Sequence, residues 1–169
     1  LDATEDDGSC DYSLFNGPDV IVVDSLKIGR KVLVVGIDGF RSDVMTAEIT
    51  PFMYNLSQAR NGYYNLAHVA EDITYSGPNW SSILTGVHQQ KHNVLNNDFD
   101  NDNYNIYPPF FHYIEEANSN INTASIVNWT PINTYILSNH VDYGPEESIN
   151  DADVLVSAEN ILLASSSDI

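Results

Sequence analysis

The 169-residue chain has a single cysteine, Cys10, so no disulfide can close within it and no cysteine-based zinc site can be assembled. Basic residues are scarce: 6 Lys and Arg stand against 24 Asp and Glu, for a formal net charge of -18. That balance repels nucleic acid and anionic membrane surfaces, so duplex nucleic acid is not an expected partner. Long hydrophobic stretches are also missing. The longest apolar runs, Val32 to Val35 among them, are far too short to cross a bilayer, and no membrane span is expected. The sequence does not begin with Met, and no charged start is followed by an apolar segment, which places any signal peptide outside it. No internal repeat is visible. What remains is a chain long enough for one domain with a substantial core. Its acidity reads first as a solubility device, although carboxylates are also the natural ligands of divalent cations.

Residues Leu1 to about Asn16 are acidic, small and turn-rich, with no hydrophobic period that defines a core-facing element. From Lys31 the character changes. The apolar run in KVLVVGIDGF suits a strand buried on both faces, as in a parallel sheet, and ends at a loop beginning with Asp38. Residues from Asp43 to Arg60 read as helical, broken or restarted by Pro51. A second strand is expected over Tyr63 to Val69. Pro78 to Gly86 is expected to be a helix, with proline at its first position and glycine at its C-terminal cap, so that Ser76 falls just before it. A polar loop over Asn96 to Asn105, a helix over Phe110 to Ala117, a strand over Thr123 to Val127, a short helix over Pro131 to Leu137 and a helix from Asp151 to Ala164 follow. The alternation of β and α predicts an α/β sandwich.

Two features carry chemistry. Asp38 lies at the C-terminal end of the first strand, where open α/β sheets place their ligands. Ser76 lies at a helix N-terminus, where unpaired N–H groups and the helix dipole favour an anion. Together they describe a phosphate site. Taken singly, Asp38 also fits a turn residue and Ser76 an N-cap.

The stretch GIDGFRSD, followed by TPFMYNL and then ITYSGPNWSSILTGVHQQKHNV, resembles the type I phosphodiesterase and nucleotide pyrophosphatase branch of the alkaline phosphatase superfamily, from about Lys31 to the end. The resemblance implies a three-layer α/β/α sandwich, with 31–169 as the N-terminal part of the catalytic domain and incomplete at its C-terminus. It implies that Asp38 is a metal ligand and that Ser76 is both nucleophile and metal ligand, with Gly77, Pro78, Asn79, Thr85 and Gly86 completing the pattern. Asn97 falls where the family places an amide that binds the transferred group, with Asn96 as its neighbouring rival. The implied cofactors are two divalent ions, zinc in the family, roughly 4 Å apart. The implied partner is a small phosphate ester, cleaved through a covalent intermediate on serine.

The family's other zinc ligands form a later Asp-x-x-x-His segment, an Asp-His pair and a further His, and none of these patterns occurs before Ile169. By itself this stretch is therefore expected to bind zinc weakly and to hydrolyse little. His88 and His92 have a chelating i,i+4 spacing but fall after the expected helix end, and family members have a structural His at the place of His92. His68, His112 and His140 read as isolated surface or satisfied core residues. Asp98, Asp100 and Asp102 alternate as in a calcium loop, but Asn103 replaces the turn glycine and no Glu closes the loop, so a solvated loop rimming the site is expected. Asn55, Asn79 and Asn128 begin glycosylation-type triplets, read as coincidence because a glycan on Asn79 would obstruct Ser76.

The segment from Ala3 to Cys10 resembles the end of short cysteine-containing repeats of secreted proteins. That resemblance implies that 1–30 is an acidic linker or the tail of an upstream repeat plus a lead-in, that Cys10 pairs upstream, and that the protein is secreted or periplasmic. Two other functions stay open. A sulfatase shares the Ser76 to Gly86 spacing, but it expects Arg where Trp80 stands and a second Asp where Gly39 stands. A non-catalytic binding module could also keep the fold.

Overall fold

The computed structural model describes residues 31–59 and 62–163. The expectations for 1–30, Arg60 and the residues after Leu163 lie outside them. The chain divides into two compact units, Leu1–Val34 and Val35–Ile169. Of the first, only 31–34 are described, as an exposed stretch without helix or strand.

The second unit is carried by helices and ordered loops. After a 3-10 turn at Ser42–Val44 come α1 (Pro51–Gln58), α2 (Ser76–Thr85), α3 (Gln89–His92) and α4 (Phe110–Ala117), then a π-helical turn at Ile132–Ile136 and finally α5 (Asp151–Leu163). Pro51 does restart the chain as a helix, standing at its first turn where no N–H partner is needed. Helix α2 begins two residues earlier than the sequence suggested, so Ser76 is its first residue rather than lying two residues ahead of it. Pro78 is tolerated at the third position because the first N–H groups of a helix have no intrahelical acceptor. Gly86 ends α2 in the left-handed region, φ 71°, and its N–H closes on the Ser82 carbonyl.

The core gathers Leu84, Val94, Phe99, Tyr104, Ile132, Ile136 and Leu137, with Trp80, Phe110, Phe111, Val127, Trp129 and Val141 packed against it. Gly77, Ser81 and Leu84 recur at spacings of four and three, so one face of α2 is buried while Ile83 faces out. The loop over Asn96 to Asn105 is polar in sequence but not simply solvated. Phe99 stacks on Tyr135 with ring centroids 4.8 Å apart, and both Phe99 and Tyr104 are buried. Phe99 takes φ 59°, an unfavourable conformation for an aromatic residue that its burial and stacking offset.

The expected strands are the main correction. Among the described residues the only strand pairing is a parallel bridge between Ala124 and Tyr143, where Ser125 N–H donates to the Tyr143 carbonyl at 2.8 Å and Tyr143 N–H to the Thr123 carbonyl at 3.1 Å. Neither the segment before Asp38 nor that over Tyr63 to Val69 forms a β-ladder among the described residues. An apolar run supplies side chains for a sheet, but a ladder also needs neighbouring backbone donors and acceptors, and Val35 is 70% exposed with no such neighbour. The three-layer sandwich is accordingly not formed by the described residues.

Candidate active site

Asp38 opens a turn continued by Gly39 at φ 70°, a left-handed value that glycine adopts without cost. Its carboxylate meets the start of α2: Ser76 Oγ donates to Asp38 Oδ2 at 2.7 Å across 38 residues of sequence. The Trp80 indole N–H donates to the same oxygen at 3.3 Å. Ser76 and Trp80 are four apart, one helical turn, so both project from one face of α2 onto one carboxylate oxygen.

Asn97 arrives from the other side. Its Oδ1 accepts the Gly77 N–H at 2.8 Å, which satisfies one of the orphan donors at the N-terminus of α2. Its Nδ2 has no protein acceptor among the described residues, and Asn97 is exposed. The rival Asn96 is occupied locally: its Oδ1 accepts the Asp98 N–H and its Nδ2 donates to Asp98 Oδ2, both at 3.0 Å. Gly77 lets this loop approach. A Cβ there would overlap the Asn96 carbonyl oxygen and stand 3.1 Å from Asn97 Oδ1. The structure thus brings Asp38, Ser76 and Asn97 to one end of α2.

A buried network supports that helix. Asn79 uses its whole side chain on the preceding strap, accepting from Glu71 N–H at 2.9 Å and donating to the carbonyls of Ile73 and Tyr75, so it is spoken for structurally. Ser81 Oγ donates to the Gly77 carbonyl at 2.6 Å and accepts from the Tyr104 hydroxyl at 2.6 Å. Burial pushes the Tyr104 phenol well above its ordinary pKa, so it remains a donor.

His92 is buried. Its Nδ1 accepts the Val94 N–H, which leaves Nε2–H to donate to Ser82 Oγ at 2.9 Å, and Ser82 donates onward to Glu71 Oε1 at 2.6 Å. Desolvation lowers the His92 pKa, in keeping with this neutral tautomer. His88 Nδ1 meets the same Glu71 oxygen at 2.8 Å. Burial alone would raise the Glu71 pKa, but the hydrogen bonds from Ser82 and His88 and the His88 charge outweigh it and hold the carboxyl below its ordinary value. The His88 and His92 pair is therefore engaged in a hydrogen-bond chain rather than poised as a chelate.

His112 and His140, read as isolated, are in fact neighbours. Their rings meet edge to face at 5.3 Å beside a cavity of about 360 Å³ that also takes in Asp102 and Tyr135. Asp102 Oδ1 accepts the Tyr104 N–H at 3.1 Å in a local turn.

Sequence reasoning missed Trp80 and Glu71 as partners of the site. The i,i+4 relation of Trp80 to Ser76 was the available signal. Glu71 offered none, because its contacts depend on how the strap before α2 folds.

As for an ion, Asp38 and Ser76 present two oxygens of the kind a hard or borderline cation takes. Oxygens about 2.1 Å from one ion lie roughly 3 to 3.5 Å apart, which a small side-chain rotation of this pair would reach. The pair fits as two ligands of a single ion. Among the described residues no group of three or more His, Cys, Asp or Glu gathers to complete such a site.

A family model described as type I phosphodiesterase / nucleotide pyrophosphatase matches residues 32–136, more than half of the chain, and spans Asp38, Ser76 and Asn97. No curated protein and no solved structure matches the chain.

Proposed function

The chain belongs to the type I phosphodiesterase / nucleotide pyrophosphatase family, and from that premise we propose that it serves a metal-dependent phosphate-ester hydrolase working through a phosphoserine on Ser76. The family is hydrolytic, divalent-metal dependent and of the alkaline phosphatase-like α/β class. The observation that carries the finer reading is the 2.7 Å contact of Ser76 Oγ with Asp38 at the start of a helix.

In this reading the Ser76 hydroxyl passes its proton to solvent water and its Oγ attacks the phosphorus of a small ester. The bond to the leaving oxygen breaks as the Oγ–P bond forms, and the departing alkoxide takes a proton from water. Water then attacks the same phosphorus, the Oγ–P bond breaks, the phosphate leaves and Ser76 regains its proton. Asn97 Nδ2 donates to a non-bridging oxygen of the transferred group while its Oδ1 stays anchored on Gly77. Asp38 and Ser76 would hold a divalent ion, zinc by family habit, with further ligands and a second ion from outside the described residues. Such an ion supplies a lower proton affinity at the Ser76 hydroxyl, which at neutral pH is otherwise a poor nucleophile. A secreted or periplasmic setting belongs to the proposal and rests on the acidic, repeat-like leader.

The test is turnover of bis(p-nitrophenyl) phosphate by the complete natural protein with zinc, beside Ser76→Ala and Asp38→Ala. Both variants are expected to lose nearly all activity, and an acid-quenched reaction should carry a phosphoryl group on the Ser76 peptide. Retained turnover in Ser76→Ala would overturn the reading. Formylglycine at position 76 would move the protein to the sulfatases, and an inert wild type would leave a binding module.

A further inference from the structure

Asp38 Oδ2 takes two donors, and the two differ in what the proposed chemistry does to them. The Ser76 hydroxyl gives up its proton when it becomes a nucleophile, so its hydrogen bond to Asp38 ends there. The Trp80 indole N–H, at 3.3 Å on the same oxygen, never ionises in water and cannot be lost this way. Its ring is also seated by design of the backbone: a Cβ on Gly36 would overlap the six-membered ring of Trp80, so the first apolar segment must carry glycine two residues before Asp38 for the indole to lie where it does. Gly36 has no left-handed backbone requirement, which leaves room for the indole as the physical reason for glycine there.

We infer that Trp80 is a positioning residue for Asp38. Its N–H fixes Oδ2 so that the carboxylate keeps one orientation toward a bound divalent cation throughout the cycle, and Gly36 is the cleft that admits it. The inference rests on the reading of Asp38 as a metal ligand. Outer donors of this kind hold a metal-ligating carboxylate in one orientation, and their removal weakens metal affinity by roughly 10- to 100-fold. At 3.3 Å the effect belongs at the lower end.

The test is zinc titration of the complete protein as wild type, Trp80→Phe, Gly36→Ala and the double variant, with the thermal midpoint of each metal-free protein measured alongside. Phenylalanine keeps most of the ring and removes the N–H; alanine at 36 leaves the N–H but displaces it. Each single variant is expected to bind zinc roughly 10-fold more weakly, with a metal-free midpoint within a few degrees of wild type. The double variant should bind no more weakly than Trp80→Phe, because the two changes break one contact. Unchanged zinc affinity in Trp80→Phe, or fully additive losses in the double variant, overturns the inference.

The indole N–H proton resonance of Trp80, assigned by its loss in Trp80→Phe, is expected to shift in Asp38→Asn whether or not metal is present. A resonance blind to that change overturns the inference alone. A responsive resonance with zinc affinity indifferent to Asp38→Ala overturns the metal reading of the site and the role of Trp80 together.

Discussion

Replacing Gly77 by alanine adds one methyl group at the tightest point of the site. The new Cβ would overlap the Asn96 backbone carbonyl and stand 3.1 Å from Asn97 Oδ1. The nearest obstacle is backbone, so no side-chain rotation relieves it, and the 96–97 segment must move away from α2. That movement breaks or stretches the 2.8 Å bond from Gly77 N–H to Asn97 Oδ1, worth about 1 kcal/mol. Alanine within a helix regains about 1 kcal/mol over glycine. The two nearly cancel, so the thermal midpoint should stay within a few degrees of wild type. Activity should not be spared: an amide displaced by about 1 Å costs roughly 100-fold when it is placed for the transition state. Thermal melting and kcat/KM on bis(p-nitrophenyl) phosphate, measured on one preparation, read both quantities. Full activity would refute the argument that Gly77 sets the approach of Asn97. Activity lost only in proportion to a large drop in the midpoint would refute the claim that the effect is local.

Asn97→Ala should lower kcat by roughly 100- to 1000-fold, as removal of a single oxyanion donor does. Asn96→Ala, whose amide is spent on Asp98, should stay within a few-fold, and a reversal of the two in the same assay would reassign the role. Stability should fall with acid. His92 has a lowered pKa in the fold, so the unfolded chain takes up its proton first and stability drains away as pH falls through about 6.5. Glu71, also lowered, stabilises above its ordinary 4.5 and loses that contribution further down. Thermal midpoints from pH 8 to 4 check the order, and His92→Gln should remove the upper part of the decline. Tyr104→Phe deletes the donor to Ser81 while Ser81 keeps its bond to Gly77, a loss of about 1 kcal/mol measurable by urea denaturation.

What could be read from the sequence divides by the range of the interaction. Pro51, Pro78 and Gly86 act through their own backbones: Pro51 opens α1, and the helix that Pro78 and Gly86 punctuate appears within two residues of its expected place. The meeting of Asp38, Ser76 and Asn97 was legible only through resemblance, since no local property of residue 38 says that it will touch residue 76. Contacts that need two distant choices to coincide stayed hidden: Phe99 on Tyr135, His92 through Ser82 to Glu71, His112 against His140. Strands belong to the same class. KVLVVGIDGF has the composition of a buried strand, yet composition fixes only one side of a ladder, and among the described residues no second strand pairs with it. The same division explains why Trp80 reads as a departure from a sulfatase pattern in sequence and as a working part in three dimensions. Its spacing from Ser76 aims it, and the missing side chain of Gly36, 44 residues away, lets it arrive. A residue that looks like a mismatch to one family pattern can therefore be the one whose substitution best tests the site, provided its partner glycine is changed with it.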